Sequence, residues 1–373
     1  MGKYLKTYRI ELITQSPVFI GDGLSLSKKE YVQKGKFIYV PDFEKLYQYI
    51  RKKGNASGFE DFMLDNFQKD LGKWMDSNRF PTADYEKWTR YKLNIGDVSL
   101  ETKGRLEIKT FIKDAYGCPY VPGSSLKGML RNVLQAYIIH KNRNSYASIG
   151  EQLETEAESS NGKRNDYLKK QDEQLTNKTF RCLNRDKKDR KNAVNDIMSC
   201  VRISDSKPLD VKCLAMCQKI DVFVNGNKKY MPIARECIQP NTKIEFDMTI
   251  TNEFPYTIEE IRSAVELFSK EYRENFFSRF NVTELRVQKP STNTVWLGGG
   301  VGYVSKTSVY PLLGYQKGLK TVTAIMQARY QAGDKHKDDI LIGVSPRKLK
   351  CTQCQGNVYE FGRCKIAIHE KSE

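Results

Sequence analysis

The sequence predicts an α+β fold made of two fused ferredoxin-like units, each with the element order β-α-β-β-α-β. Two observations support this class. Stretches in which apolar and polar residues alternate, such as residues 243–251, indicate half-buried strands. Single long amphipathic helices separate these strands, and the regular strand-helix alternation of a doubly wound sheet is not seen in the pattern. A chain of 373 residues is long enough to form two hydrophobic cores.

The first predicted unit covers residues 1-227. We predict early strands over residues 4–20 and a hairpin over residues 31–40. The first helix is predicted over residues 43–53, and the next strand over residues 105–113. A long helix starts at Ser124, because apolar residues recur from there at spacings of three and four. Residues 54–95 are predicted to form short inserted helices. Residues 141–195 are polar, highly charged and weakly periodic, which predicts a second, partly mobile insertion.

The second predicted unit covers residues 228-373, after a turn at Asn225-Gly226-Asn227. Thr257 and Glu260 have the spacing of a capping box, which predicts the start of a helix. The remaining elements are a strand over residues 243–251, a glycine-rich loop at 298–302, a short helix over 322–330, and closing strands over 349–352 and 358–368.

The charge of the chain predicts a polyanionic partner. Lys and Arg number 62 against 45 Asp and Glu, which gives a formal net charge of +17. Such an excess attracts nucleic acids by long-range electrostatics and counterion release. The sequence shows neither a signal peptide nor an apolar run that could span a bilayer, and its nine cysteines are scattered. We therefore expect a cytoplasmic protein with reduced thiols, no membrane partner and no cofactor.

The Pro122-Gly123 turn before the long helix predicts a phosphate-binding corner. Ser124 is placed to cap the first turn, where free N–H groups and the helix dipole favour an anion. Lys127 and Arg131 lie one turn apart on the same helix face. We predict that Ser124, Ser125, Lys127 and Arg131 contact RNA.

The second candidate site is the glycine-rich loop that follows Trp296. Four glycines, Gly298, Gly299, Gly300 and Gly302, allow close approach of the backbone to a ligand. Tyr303 is placed to stack on a base, and Lys306 to meet a phosphate. A flexible hairpin tip is the structural alternative.

Residues 300–307 also resemble an ATP-binding P-loop, but Ser305 stands where the motif has its last glycine. A P-loop is followed by a long helix, and Pro311 and Gly314 argue against one here.

Three segments together resemble the RAMP superfamily of CRISPR RNA-binding proteins. They are residues 16–21, residues 121–131 and residues 298–307. The combination is similar to the subunits that cap type III-A (Csm) effector complexes at the three-prime end of the CRISPR RNA (crRNA). The resemblance implies two fused RRM-like RAMP domains. It assigns the phosphate-facing positions to the loop glycines and Lys306, and also to Ser124, Lys127 and Arg131.

The resemblance further implies a non-catalytic crRNA-binding subunit that caps the filament of repeated backbone subunits. The expected partners are crRNA, those backbone subunits, the small subunit and host nucleases that trim the crRNA. Such a subunit supports crRNA maturation in antiviral defence without cutting RNA. Because other RAMP proteins process precursor crRNA, an endoribonuclease is the alternative, although His140, His336 and His369 show no partner in the sequence.

Cys351, Cys354 and Cys364 are weak candidates for a zinc site. The first two have the C-x-x-C spacing of zinc ligands, and His369 follows. Cys364 and His369 are five residues apart in a predicted strand, so they point to opposite faces. We therefore predict no metal.

Overall fold

The computed structural model describes residues 4–65, 70–98, 107–159, 165–286, 290–330 and 336–371. The strands are β1 (Leu5–Thr14), β2 (Gly21–Leu26), β3 (Val32–Lys34), β4 (Phe37–Pro41), β5 (Thr89–Asn94), β6 (Glu107–Phe111), β7 (Val201–Ile203), β8 (Leu214–Phe223), β9 (Lys228–Ile238), β10 (Lys243–Thr251), β11 (Thr294–Trp296), β12 (Lys348–Cys354), β13 (Asn357–Glu360) and β14 (Arg363–Glu370). The helices are α1 (Phe43–Lys52), α2 (Ala56–Leu64), α3 (Leu71–Ser77), α4 (Gly123–Lys141), α5 (Ala147–Ala157), α6 (Lys169–Phe180), α7 (Ile258–Asn275), α8 (Val309–Arg329) and α9 (Asp339–Ile342). Residues 66–69, 105–106 and 160–164 of the predicted segments lie outside the described residues.

The first sheet has the strand order β11-β14-β1-β10-β7, and all neighbours pair antiparallel. Along the chain, β1, α4, β7, β10, α7 and β14 follow the order β-α-β-β-α-β, and the order β14-β1-β10-β7 is that of a ferredoxin-like sheet. The predicted α+β class is confirmed. Helix α7 starts at the predicted capping box, in which Thr257 and Glu260 each accept the other's backbone N–H.

The second sheet has the order β13-β12-β8-β9-β6-β2, with β6 and β9 parallel and the other pairs antiparallel. One hydrophobic core joins both sheets. The chain passes from β13 in this sheet to β14 in the first sheet at Gly362, whose φ is +78°. The single strand predicted over residues 358–368 is therefore two strands in different sheets.

The first insertion is larger than predicted and is not purely helical. Strands β3, β4 and β5 form a separate sheet, and α1 to α3 pack around it with a core of their own. Leu46, Ile50 and Trp88 are fully buried in that core. One contact to the rest of the molecule is the Tyr91 hydroxyl, which donates to the buried carboxylate of Glu236 at 2.7 Å.

The described residues of the second insertion form packed helices, a regular structure that the weak periodicity of this segment did not predict. Helices α5 and α6 bury Leu153, Leu175 and Phe180 in the main core, and α5 packs on α8. The apolar positions are few and lie among many charges, which is why the sequence periodicity is weak.

The short helix predicted over residues 322–330 is the second part of the long helix α8. The helix that follows Thr307 is interrupted at Gly314, in line with the expectation that no long helix begins directly there. Pro311 lies in the first turn, where its missing N–H costs nothing, and Gly314 joins two helical segments with non-helical angles (φ 71°, ψ −177°).

The strand pairing does not follow the predicted boundary between residues 1-227 and 228-373. Residue 227 lies in the turn of the β8–β9 hairpin, and each sheet takes strands from both sides of it. None of the helices in the described part of the chain is long and apolar enough to cross a membrane.

Candidate nucleic-acid interface

The glycine-rich loop leaves the first sheet after β11 and is fixed to the segment that follows β1. The Leu297 N–H donates to the Gly362 carbonyl at 2.8 Å, and the Gly299 N–H donates to the Phe19 carbonyl at 2.7 Å. The Gly362 N–H in turn donates to the Pro17 carbonyl at 2.9 Å. Two of the three segments that carry the family resemblance, residues 16–21 and 298–307, thus form one structural unit.

Two properties of the loop require glycine. Gly298, Gly300 and Gly302 have φ values of 88°, 90° and 89°, which residues with a side chain rarely adopt. A Cβ atom at Gly298 would lie 2.2 Å from the Phe19 carbonyl oxygen. Within the described residues, the N–H groups of Gly300 and Gly302 donate to no protein acceptor. These amides are therefore available to an anionic ligand.

Arg235 of β9 lies directly beneath this loop. Its guanidinium carbon is 5.3 Å from the ring centroids of both Phe19 and Phe361, and a Cβ atom at Gly300 would lie 2.7 Å from Nη1. Nε has no hydrogen-bond partner within the described residues. Burial lowers the pKa of Arg235, but a guanidinium remains charged at neutral pH. The loop therefore sits over a positive charge that forms no ion pair with a carboxylate of the described segments.

Lysines of the second sheet, which also contains Arg235, lie next to the loop at Gly302. Lys219, Lys348 and Lys350 line a cavity of about 400 Å³ together with Gly302 and Tyr303. Lys350 Nζ lies 2.8 Å and Lys348 Nζ 3.8 Å from the buried carboxylate of Asp221. Burial and the adjacent Lys350 lower the pKa of Lys219. We call this surface, formed by the loop 298–303, Arg235 and the three lysines, the basic cleft.

The remaining predicted loop residues have different environments. Lys306 is exposed and has no ion-pair partner among the described residues, while partial desolvation lowers its pKa. Tyr303 is half-buried and lines the cavity, and burial raises its pKa. The Ser305 hydroxyl turns inward and donates to the Val301 and Gly302 carbonyls at 3.1 and 3.2 Å.

The second predicted phosphate site, the start of α4, is occupied by the protein itself. The helix begins at Gly123, and Ser124 does not cap it. The Gly123 N–H donates to Asp205 Oδ1 at 2.8 Å, so an internal carboxylate takes the position predicted for an anion. The prediction that Ser124 caps the helix is wrong, because the helix starts one residue earlier, after Pro122.

Arg131 and Lys127 are also engaged with the protein interior. Arg131 donates two hydrogen bonds to Asp196, at 3.1 and 2.8 Å, and its guanidinium lies 3.8 Å from the centroid of the Phe180 ring. Lys127 is half-buried, and desolvation lowers its pKa. The RNA-binding role of Ser124, Ser125, Lys127 and Arg131 stays a prediction.

The two predicted sites cannot hold the same phosphate. The glycine-rich loop follows β11, whereas the start of α4 lies against the residues after β7, where a Cβ atom at Gly123 would be 2.3 Å from the Ile203 carbonyl oxygen. Strands β11 and β7 are the opposite edges of the first sheet. Four strand spacings separate them by roughly 19 Å.

The structure does not bring the three candidate zinc ligands together. Cys351 and Cys354 lie three residues apart in β12, so they point to opposite faces, and Cys364 belongs to the other sheet. All three are buried, and burial raises the pKa of Cys364 to about 12. Among the described residues, no group of three His, Cys, Asp or Glu side chains is arranged to hold a metal ion.

Two of the histidines, which showed no partner in the sequence, have one in the structure. His336 Nδ1 lies 2.7 Å from Oδ2 of the buried Asp339, which also accepts from the Ser345 hydroxyl at 2.8 Å. His336 lines the same cavity as the lysines. His140 Nδ1 lies 3.0 Å from Glu271 Oε1 on α7.

Four residues of the basic cleft were not predicted from the sequence: Lys219, Arg235, Lys348 and Lys350. A signal existed in Lys348-Leu349-Lys350, where lysines alternate with an apolar residue in a strand and therefore share one face. The pairing of β12 with β8, which places Lys350 opposite Asp221, has no such local signal.

Comparison with known proteins agrees with this architecture. A family model described as the RAMP superfamily matches residues 11–305. The chain is 31% identical over 393 aligned residues to the "CRISPR system Cms protein Csm5" of Mycobacterium tuberculosis, with 99% of each chain covered. It is 29% identical to the protein of that name from Streptococcus thermophilus, over 87% of this chain and 84% of the relative.

A solved structure shares the fold. It is described as "Cryo-EM structure of Csm-crRNA-target RNA ternary complex in type III-A CRISPR-Cas system", and one of its chains matches with a TM-score of 0.62 at 17% identity, covering 96% of this chain and all of the other. The chain belongs to the RAMP superfamily and, within it, to the family of these Csm5 proteins.

Proposed function

We propose that this protein is a non-catalytic crRNA-binding subunit of a type III-A CRISPR effector complex in the cytoplasm. The basic cleft holds the sugar-phosphate backbone near the three-prime end of the crRNA. The subunit caps the filament of repeated backbone subunits, contacts the small subunit and supports trimming of the crRNA by host nucleases.

The observation that carries this proposal is the positive charge around open backbone amides. The N–H groups of Gly300 and Gly302 have no acceptor among the described residues, and the two glycines lie next to Arg235 and Lys350 of the second sheet, respectively. Contacts to phosphates bind RNA without reading bases, which suits a protein that must accept any spacer sequence. The name of the relatives and the crRNA named in the matching complex support the choice of crRNA as the ligand.

The absence of catalysis rests on how the possible catalytic groups are used. Asp22, a turn carboxylate in β2, accepts from the Leu24 N–H at 2.9 Å and from the Thr110 hydroxyl at 2.5 Å. Those bonds give it a structural role. We expect Asp22→Ala to leave target cleavage by the assembled complex unchanged, and loss of cleavage with normal assembly would contradict the proposal.

One observation favours the second candidate function, a metal-independent endoribonuclease. His336, oriented by the buried Asp339, lines the cavity beside three lysines, which is the chemistry of a general base next to groups that stabilise developing negative charge. Incubation of the full chain with labelled repeat RNA in EDTA separates the functions. A product that disappears in His336→Asn would establish the nuclease, whereas a binder leaves the RNA intact with or without metal or ATP.

The direct test of the proposed function is RNA affinity against salt for Lys306→Ala. Lys36→Ala, which removes another exposed lysine, in the first insertion, is the matched control. We expect Lys306→Ala to weaken binding to every sequence and to reduce the slope of log affinity against log salt by about 1. An unchanged slope would remove Lys306 from the interface, and a wild-type protein that binds no RNA and co-purifies with none would overturn the proposed function.

A further inference from the structure

We propose that the cavity beside the glycine-rich loop holds one unstacked RNA base, while the phosphates of the same strand lie on the basic cleft. This inference rests on the proposed function and adds a contact that phosphate binding does not require. It assigns to the cavity a ligand of defined chemistry: a single nucleobase from single-stranded RNA.

The cavity is lined by residues of two kinds. The lysines 219, 348 and 350 and the loop residue Gly302 are polar. Tyr303, Tyr330, Phe276 and Met326 supply rings and apolar surface. A nucleotide has the same division, because its base is a flat π-system and its phosphate is an anion. RNA-binding proteins commonly place an unstacked base on aromatic side chains in this way.

The volume is sufficient for one base and too small for a duplex. About 400 Å³ is near the lower end of the range for small-molecule pockets, roughly 300–1,000 Å³. Double-stranded RNA cannot enter such a space, so the ligand is a base turned out of a single strand. The phosphate of that nucleotide would lie at the polar part of the cavity, near the Gly302 N–H group and the three lysines.

Tyr330 is the aromatic residue best placed to receive the base. Its side chain is 61% exposed although it lines the cavity, and its ring centroid lies 6.2 Å from that of His336. The Tyr272 hydroxyl, in contrast, is already committed to the buried carboxylate of Glu360. Stacking on a ring accepts any base, so the cavity is compatible with variable guide sequences.

The experiment measures affinity of the full-length protein for a single-stranded RNA of about 12 nucleotides. One nucleotide at a time is replaced by an abasic ribose, which keeps every phosphate. The series is repeated with Tyr330→Ala and with the matched control Tyr116→Ala, another highly exposed tyrosine that does not line the cavity.

For the wild type we expect one abasic position to weaken binding about tenfold and the others to have little effect. In Tyr330→Ala that position should lose most of its effect, because the two changes remove the same contact. Tyr116→Ala should behave like the wild type. Tyr303→Ala is a second variant, and its folding is checked by urea unfolding because this side chain is half-buried.

The outcomes distinguish this inference from the proposed function. Tight, salt-dependent binding that is equal for all abasic RNAs would overturn the base-binding cavity and leave phosphate binding intact. An abasic effect that persists undiminished in both tyrosine variants would also overturn it. Failure of the wild type to bind any RNA would refute the proposed function and this inference together.

Discussion

Two glycines with nearly the same backbone conformation have very different surroundings. Gly298 in the loop and Gly23 in β2 have φ values of 88° and 89°. A Cβ atom at Gly298 would lie 2.2 Å from the Phe19 carbonyl oxygen, whereas a Cβ atom at Gly23 would meet nothing within 4 Å. The pair therefore separates the cost of the φ angle from the cost of the close approach.

We predict that Gly298→Ala destabilises the protein more than Gly23→Ala and weakens RNA binding. The positive φ costs each variant about 1–2 kcal/mol. The clash with Phe19 adds about 1–3 kcal/mol at Gly298 and displaces the loop. Urea unfolding gives the stability difference, and RNA affinity gives the functional one. Equal destabilisation of the two variants would show that the loop can move away from Phe19 freely.

The pH dependence of RNA binding follows from the lowered pKa of Lys219. A phosphate binds the ammonium form, and Lys219 loses its proton at a lower pH than an ordinary lysine because burial and Lys350 disfavour its charge. RNA affinity should therefore begin to fall with rising pH before the exposed lysines titrate. Lys219→Arg, which keeps its charge, should show a weaker decline when affinity is measured from about pH 7 to 9.5. Identical profiles would place Lys219 outside the RNA contact.

At the scale of single elements, the start of α4 has the sequence signal of an anion site, but a carboxylate of the protein itself binds there. Asp205 accepts the Gly123 N–H, and Asp196 binds Arg131. The sequence contained both aspartates, but they lie 82 and 65 residues from their partners. A local sequence motif cannot reveal that a carboxylate distant in the chain occupies the predicted anion-binding position.

The two possible roles of Arg131 predict different results for Arg131→Met. A structural role predicts a loss of about 1–3 kcal/mol in the free energy of unfolding, because a bidentate ion pair and the contact with Phe180 are removed. RNA affinity should then be unchanged, and this is the outcome we expect. A variant with normal stability and several-fold weaker RNA binding would instead support the role that the family resemblance implies.

The elements that could be predicted from sequence are those whose signals are local. Strand β10 was predicted over its full length by alternation, and α7 by its capping box. The basic cleft was only half predicted. Its four glycines lie within five residues of the chain, but Arg235 and Lys350 are brought to them by the second sheet and by the contact of the loop with Phe19.

At the scale of the whole molecule, the chain ends meet in one sheet. Strand β1 lies between β10 and β14, so the first ferredoxin-like sheet needs residues from both ends of the chain. The second sheet pairs β12 with β8 and β6 with β9. Strand periodicity indicates which face is buried but not which strand is the neighbour, so the sequence suggested two consecutive units where the sheets are interleaved.

This interleaving predicts that residues 1-227 and 228-373 do not fold when produced separately. The first piece would leave β1 without both neighbours, and the second would leave β9 without β8 and β6. Each piece alone should lack cooperative urea unfolding and dispersed amide resonances. Mixing the two pieces should restore both signals, because the cut lies in an exposed hairpin turn and leaves the strands intact. Cooperative unfolding of either half by itself would show that its sheet strands can pair without the other half.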